Sequence, residues 1–205
     1  MIRRKFYLLG LISPFLFAFT VILGGALRPS YDHVTETVSE LFSPGSPNRL
    51  LLSVLYALFA VSLSFFGFGL LQFVKYVGKF KKIGITASIA FISVGALYIL
   101  SATIFPQDPW GATPTLFGRL HMIVHGFISI LSILYIALFG LWFHRTGISK
   151  FFMIYSIATV IGVIIAAVWF MVSYGNDLMG ISERIAAVIG FQWTIALAVV
   201  VLRND

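Results

Sequence analysis

Six stretches of apolar residues, near 6–27, 50–74, 83–105, 120–143, 151–174 and 184–202, divide the chain. Each reaches the ~20 residues an α-helix needs to cross a hydrocarbon core of ~30 Å. They predict an all-α fold, a polytopic membrane bundle of six transmembrane helices, with residues 1–205 forming one domain. The first stretch lacks a small-residue cleavage site and is expected to be a retained span.

The polar residues between the spans sort by side. Asp32, Glu36, Glu40, Asp108, Asp177 and Glu183 fall in the first, third and fifth connections or at their edges. The second and fourth connections carry Lys75, Lys79, Lys81, Lys82, Arg145 and Lys150, and no acid. With Arg3, Arg4, Lys5 and Arg203, ten of the fourteen bases lie on that second side; only Arg28, Arg49, Arg119 and Arg184 lie on the acidic one. The positive-inside rule then predicts a multi-pass protein of the cell membrane, both termini cytoplasmic and the acidic face outside.

Composition excludes the alternative of a water-soluble domain. The chain is 60% hydrophobic and 10% charged, with a mean hydropathy of +1.01. The net charge of +7 reads as topology and attraction to anionic lipid. Membrane lipids are the expected partners. Nucleic acid is not, because the bases are scattered over short turns. There is no cysteine, so thiol chemistry and thiolate metal sites are excluded.

The first external connection is the richest. Pro29 ends the first span, Ser30 is a suitable N-cap, and a short amphipathic helix is expected over 31–42 at the membrane interface. Tyr31, Val34, Val38 and Leu41 share one face at helical spacing; Asp32, Glu36 and Glu40 form a stripe on another. Three acids on one stripe repel, so they are expected to face the arginines that open the second, fourth and sixth helices, Arg49, Arg119 and Arg184. Phe105-Pro-Gln-Asp-Pro-Trp-Gly111 predicts a rigid turn presenting Asp108. Ser182 is the expected cap of the sixth helix, with Glu183 in its first turn. Trp110, Trp142, Trp169 and Trp193 are expected in interfacial belts, and Gly24, Gly25, Gly67, Gly69 and Gly95 at close helix contacts.

The spaced polar motifs are similar to those of a known family. Asp32-His-Val-Thr-Glu-Thr-Val-Ser-Glu40, Gly45-Ser-Pro-Asn48, Phe105-Pro-Gln-Asp108, Leu120-His121 and Gly180-Ile-Ser-Glu-Arg184 resemble domain-of-unknown-function family 998, six-span prokaryotic membrane proteins. The resemblance covers nearly the whole chain. It implies a six-helix fold with an outward polar constellation and brings no established activity. His125 lies outside the shared pattern.

Candidate chemistry gathers on the acidic face. His121, Asp108 and Glu36 form the candidate catalytic set. Arg49, Arg119, Arg184, Asp32, Ser39, Glu40 and Glu183 are the residues expected to contact substrate, the arginines through a phosphate or carboxylate headgroup. His121 and His125, at i and i+4, share a helix face and suit a divalent metal such as Zn²⁺, although the motif lacks the glutamate that marks a zinc protease helix. Neither Ser39 nor Thr35 sits on a nucleophile elbow or at a recognised spacing from a base. Ion pairing that merely fixes helix ends is the plainer account of the arginines. Three functions fit the pattern: a membrane-embedded enzyme or remodelling factor acting on a lipid-like substrate; a transporter or ligand-binding sensor; and a structural subunit of a membrane complex.

Overall fold

The structure, a computed structural model, describes residues 2–205. Six long helices follow one another: α1 (Ile2–Ala26), α2 (Arg49–Val77), α3 (Lys81–Thr103), α4 (Leu116–Thr146), α5 (Lys150–Ser173) and α6 (Met179–Arg203). All six are long and apolar enough to cross a bilayer, and no strand occurs among the described residues. The protein is an integral, multi-pass membrane protein. α4 and α6 start several residues before the apolar stretches that predicted them, because Thr115 caps α4 by accepting from the Gly118 amide and α6 runs from Met179. Ser182 therefore caps nothing: it lies inside α6 and donates to the Met179 carbonyl at 2.9 Å. Glu183 falls in the second turn.

Each helix packs against its neighbours in sequence, and α6 closes the ring on α1. The short turns enforce this. Gly78 and Gly147 take left-handed φ values of 76° and 78° and end α2 and α4 abruptly, so α3 and α5 return antiparallel at once. At the two termini, Asp205 pairs with Arg3 at 3.7 Å and accepts from Tyr7 at 3.2 Å. We call this the basic end; the first, third and fifth connections lie at the acidic end.

The basic half of the ring is filled. Phe73, Phe139, Trp142, Phe143, Phe152 and Trp193 are all buried there and meet ring to ring at 5.0–6.4 Å. Trp142 donates to the Lys79 carbonyl at 3.0 Å and Trp193 to Ser156 at 3.0 Å. Two of the four tryptophans thus serve the core rather than an interfacial belt; Trp110 alone is broadly exposed. A ring centred in the bundle satisfies its N–H through a facing helix or turn, which the interface would otherwise do.

Small residues set the close contacts. Gly67 and Gly69 admit α3 and α1 against α2, and Gly95 lies against Ser64 and the Ala60 carbonyl. Gly24 and Gly25 instead face Leu41 and His33 of the first connection. A Cβ at Gly95 would stand 3.1 Å from both the Ala60 oxygen and the Ser64 nitrogen, backbone atoms that cannot turn aside. Gly95→Ala is expected to destabilise the detergent-solubilised protein by about 1–3 kcal/mol. Gly126→Ala, where a Cβ meets nothing within 4 Å, should melt like wild type; equal melting temperatures for both variants would refute the packing argument.

Candidate functional site

The first connection is shorter in helix and more deeply set than its amphipathic pattern predicts. Only Val38–Phe42 is helical, as a 3₁₀ turn, η1, and all five residues are buried. Local side chains capture the backbone before an α-helix over 31–42 can form. Asp32 accepts from the Val34 amide at 2.7 Å, and Glu36 from the Asp32 amide at 3.1 Å. Thr37 and Glu40 form a reciprocal capping box at 3.3 and 2.8 Å.

The start of α6 holds this segment down. The Ile181 amide donates to the Val34 carbonyl at 2.9 Å, and the Val38 amide to Glu183 Oε2 at 2.6 Å. Arg184 donates through Nη1 to the carbonyls of Glu36 and Gly180 at 2.9 and 2.8 Å, and through Nη2 to the Tyr31 hydroxyl. Tyr31 in turn donates to the Thr37 carbonyl at 2.7 Å. Burial pushes the Tyr31 phenol well above its ordinary value, so it keeps that proton. Gly180 is required because a side chain there would collide with the carbonyls of Glu36 and Val34.

Docked in this way, η1 presents Ser39 to α4. His121, 5% exposed, places Nδ1 2.8 Å from the Phe105 carbonyl and Nε2 3.2 Å from Ser39 Oγ. A carbonyl only accepts, so Nδ1 carries the hydrogen, and in the neutral ring Nε2 offers its lone pair to the Ser39 hydroxyl. Glu183, which accepts from the neighbouring Val38 amide, lines the same cavity as these two. Ser39 and His121 thus form a hydroxyl–imidazole pair whose second ring nitrogen is held by a main-chain carbonyl. No spacing announces it: 82 residues separate the two.

The pair lies at the head of a cavity of about 450 Å³ lined by residues of all six helices. Its deeper walls are mainly apolar, with Leu63, Val94, Ile128 and Ile136 among them, and Tyr56, Tyr98 and His125 add polar edges. The aromatic plug closes the basic side. A second, wider basin of about 640 Å³ lies beyond η1, where Arg28, Glu36, Glu40 and Asp177 meet Trp110. Consecutive residues of η1 divide the two: Ser39 lines the inner cavity and Glu40 the outer basin.

The remaining candidate residues are placed as follows. Asp108 accepts from the Thr115 amide and hydroxyl, both at 2.7 Å, and packs on Gly118; it braces the start of α4. Glu36 pairs with Arg28 at 2.7 Å. Arg49 and Arg119 pair with no acid among the described residues, and Arg184 is spent on carbonyls and a phenol. The acid stripe thus fails to face the three helix-opening arginines, since its members turn back onto their own connection. His121 and His125 stack at 4.4 Å, but no three His, Asp or Glu side chains converge as ligands among the described residues. With both His121 nitrogens engaged, these residues do not fit a zinc site.

A family model described as "Protein of unknown function (DUF998)" matches residues 11–200. The chain belongs to that family. No curated protein and no solved structure matches it. The motifs that carry the DUF998 resemblance, in the first connection, at Phe105–Asp108, at His121 and at Gly180–Arg184, are the segments that build this site.

Burial raises the Glu40 carboxyl above its ordinary value, against the opposing bond from the Thr37 amide. A raised folded value stabilises fully below the unfolded one and is lost as pH rises through the folded one. Glu40→Gln keeps the capping box and removes the cost of burying charge. The variant should melt above wild type at neutral pH, and the difference should vanish as pH falls below the ordinary carboxylate range. A pH-independent difference in thermal melts would assign Glu40 another role.

Proposed function

We propose that the protein is a membrane-embedded hydrolase or acyltransferase that cleaves an ester or amide of a lipid-like substrate. Ser39 is the nucleophile and His121 the general base. One observation carries this reading: a serine hydroxyl in hydrogen-bond contact with an imidazole nitrogen, the other ring nitrogen fixed by a carbonyl, at the polar head of an otherwise apolar cavity. Lipid phosphate or metal chemistry has no comparable donor set here.

The step balances without a further reactant except water or an acceptor alcohol. Ser39 Oγ attacks the substrate carbonyl carbon as its proton passes to His121 Nε2. The tetrahedral intermediate collapses, the carbon–oxygen or carbon–nitrogen bond breaks, and the leaving group takes that proton. Water, or an alcohol in a transferase, then gives its proton to Nε2 and attacks the acyl-serine. Ser39 is released with its hydrogen restored. The Phe105 carbonyl holds the ring in the required tautomer and supports the imidazolium while it lasts. The filled basic half of the ring argues against a transporter, because it leaves no polar path through the bundle.

A fluorophosphonate probe tests the reading directly. Wild-type protein should be labelled at Ser39, Ser39→Ala should not be labelled, and His121→Ala should slow labelling by ~10²–10⁴-fold, the usual contribution of a general base. His144→Ala, an exposed residue at the basic end, should label like wild type. Labelling that survives Ser39→Ala, or its absence from folded wild-type protein, would overturn the proposal.

The same reading puts the acidic end on the extracytoplasmic side of the cell membrane, with both termini in the cytoplasm. The distribution of Lys and Arg supports it. In this cysteine-free chain, Ser46→Cys and Gly111→Cys should react with an impermeant maleimide added to intact cells, and Lys81→Cys should not. Reaction of the Lys81 variant alone would invert the topology.

A further inference from the structure

The cavity has a mouth in the wall of the bundle. At the basic half, α4 and α5 touch: a Cβ at Gly140 would stand 2.6 Å from Ser156 Cβ. Toward the acidic half they part. Gly126 lines the cavity, is exposed, and would project a Cβ into open space. Met122 of α4 and Met171 of α5 also line the cavity while 40% and 75% exposed. A residue that both lines a cavity and reaches the surface stands at its opening. Gly126 lies ten residues into α4, ~15 Å along the helix axis, so the opening faces hydrocarbon rather than water.

The cavity's dimensions select its occupant. Its lining on α4 runs from His121 to Ile136, a rise of ~22 Å. At ~1.3 Å per carbon in an extended chain, that length holds ~17 carbons. The lining along that length is mainly apolar and its head is polar, where Ser39, Gln107, His121 and Glu183 gather, which matches a hydrocarbon tail ending in one polar group.

We infer that the substrate's apolar part is an acyl chain of up to about 17 carbons that slides in from the bilayer through the gap between α4 and α5, its carbonyl stopping at Ser39 and its tail against the aromatic plug. The inference rests on the hydrolase reading for the carbonyl's position and deepens it by naming the substrate class and its route. Gly190, seven residues along α6 from Glu183, also lines the cavity, and a Cβ there meets nothing within 4 Å. A larger side chain at that depth would shorten the space left for the tail.

Binding, not turnover, tests it. Ser39→Ala protein in nanodiscs is titrated with tritiated straight-chain fatty acid methyl esters of about 8 to about 20 carbons. Affinity should rise to a maximum near 16 carbons and fall beyond it. Gly190→Leu in the same background should move the maximum shorter, toward the ~8 carbons that fit above residue 190, which lies ~10 Å along α6 from Glu183. Gly126→Trp should weaken binding of the optimal ester at least tenfold, while Ile157→Trp, on the lipid-facing surface of α5 and 49% exposed, should not. As a folding-independent check, Gly126→Cys is measured before and after modification with a bulky maleimide, and only the modified protein should lose binding. Affinity indifferent to chain length, or to the block at residue 126, overturns the inference even where Ser39 is labelled by the serine probe. A clear length optimum without probe labelling would sustain the inference and remove the hydrolytic step instead.

Discussion

Arg184 is the residue on which the working end of the molecule hangs. A connection that folds back over the mouth of a membrane bundle must bring its own amides and carbonyls out of water, and each one left unpaired costs free energy. Arg184 gives hydrogen bonds to two carbonyls and one phenol, a task that suits a rigid planar fork of donors. Glu183, one residue earlier, takes the amide of Val38. Together they convert a polar loop into part of the core. The position of Ser39 follows from that docking, to which Leu41 against Gly24 and Thr37 against Gln107 also contribute.

Packing in the ring makes the cavity by being uneven. Inside a bilayer the helices gain little from hiding apolar surface from one another, so close approach through small residues decides where they touch. Gly67, Gly95 and Gly140 bring neighbouring helices together, and bulky aromatics fill the middle of the basic half. At Gly126 and Gly190 nothing answers the missing side chain. The same residue type closes some contacts and leaves room at others, and only the facing residue tells the two uses apart.

That distinction marks how far the sequence could be read. Six spans, their order and the gathering of acids at one end follow from hydropathy and charge alone, because a bilayer constrains length and polarity severely. Interior positions are less legible. Trp142 and Trp193 carry the composition of interfacial anchors and are core residues, since a tryptophan's N–H is satisfied as well by a turn carbonyl or a serine as by a headgroup. Charge drew attention to Asp108 and Glu36, whose carboxylates brace a helix start and pair with Arg28. Ser39 shows no sign in its own segment of its pairing with His121. Its partner lies in another helix, and the third member of the arrangement is the Phe105 carbonyl, a backbone atom that leaves no trace in the amino-acid pattern. The one available signal was the spaced recurrence of polar motifs in apolar surroundings, which marked the segments without revealing their pairing.

A main-chain carbonyl suits this setting better than a third carboxylate. An ionised side chain in or near the hydrocarbon costs ~2.5–3.5 kcal/mol at a helix centre by insertion scales, and Glu183 already brings one carboxyl to the site. A peptide dipole fixes the imidazole tautomer without adding a charge to desolvate. It also holds the ring in place before substrate arrives, because Phe105 belongs to the turn that Asp108 braces against Thr115 and Gly118. In the proposed hydrolysis the imidazolium exists only transiently, and the Phe105 carbonyl oxygen is the polarity in direct contact with it. Two of the acids that stood out in the sequence thus act at one remove: Asp108, read as catalytic, sets the height of the carbonyl that holds His121, and Glu183, read as a substrate contact, sets the height of the serine that meets it.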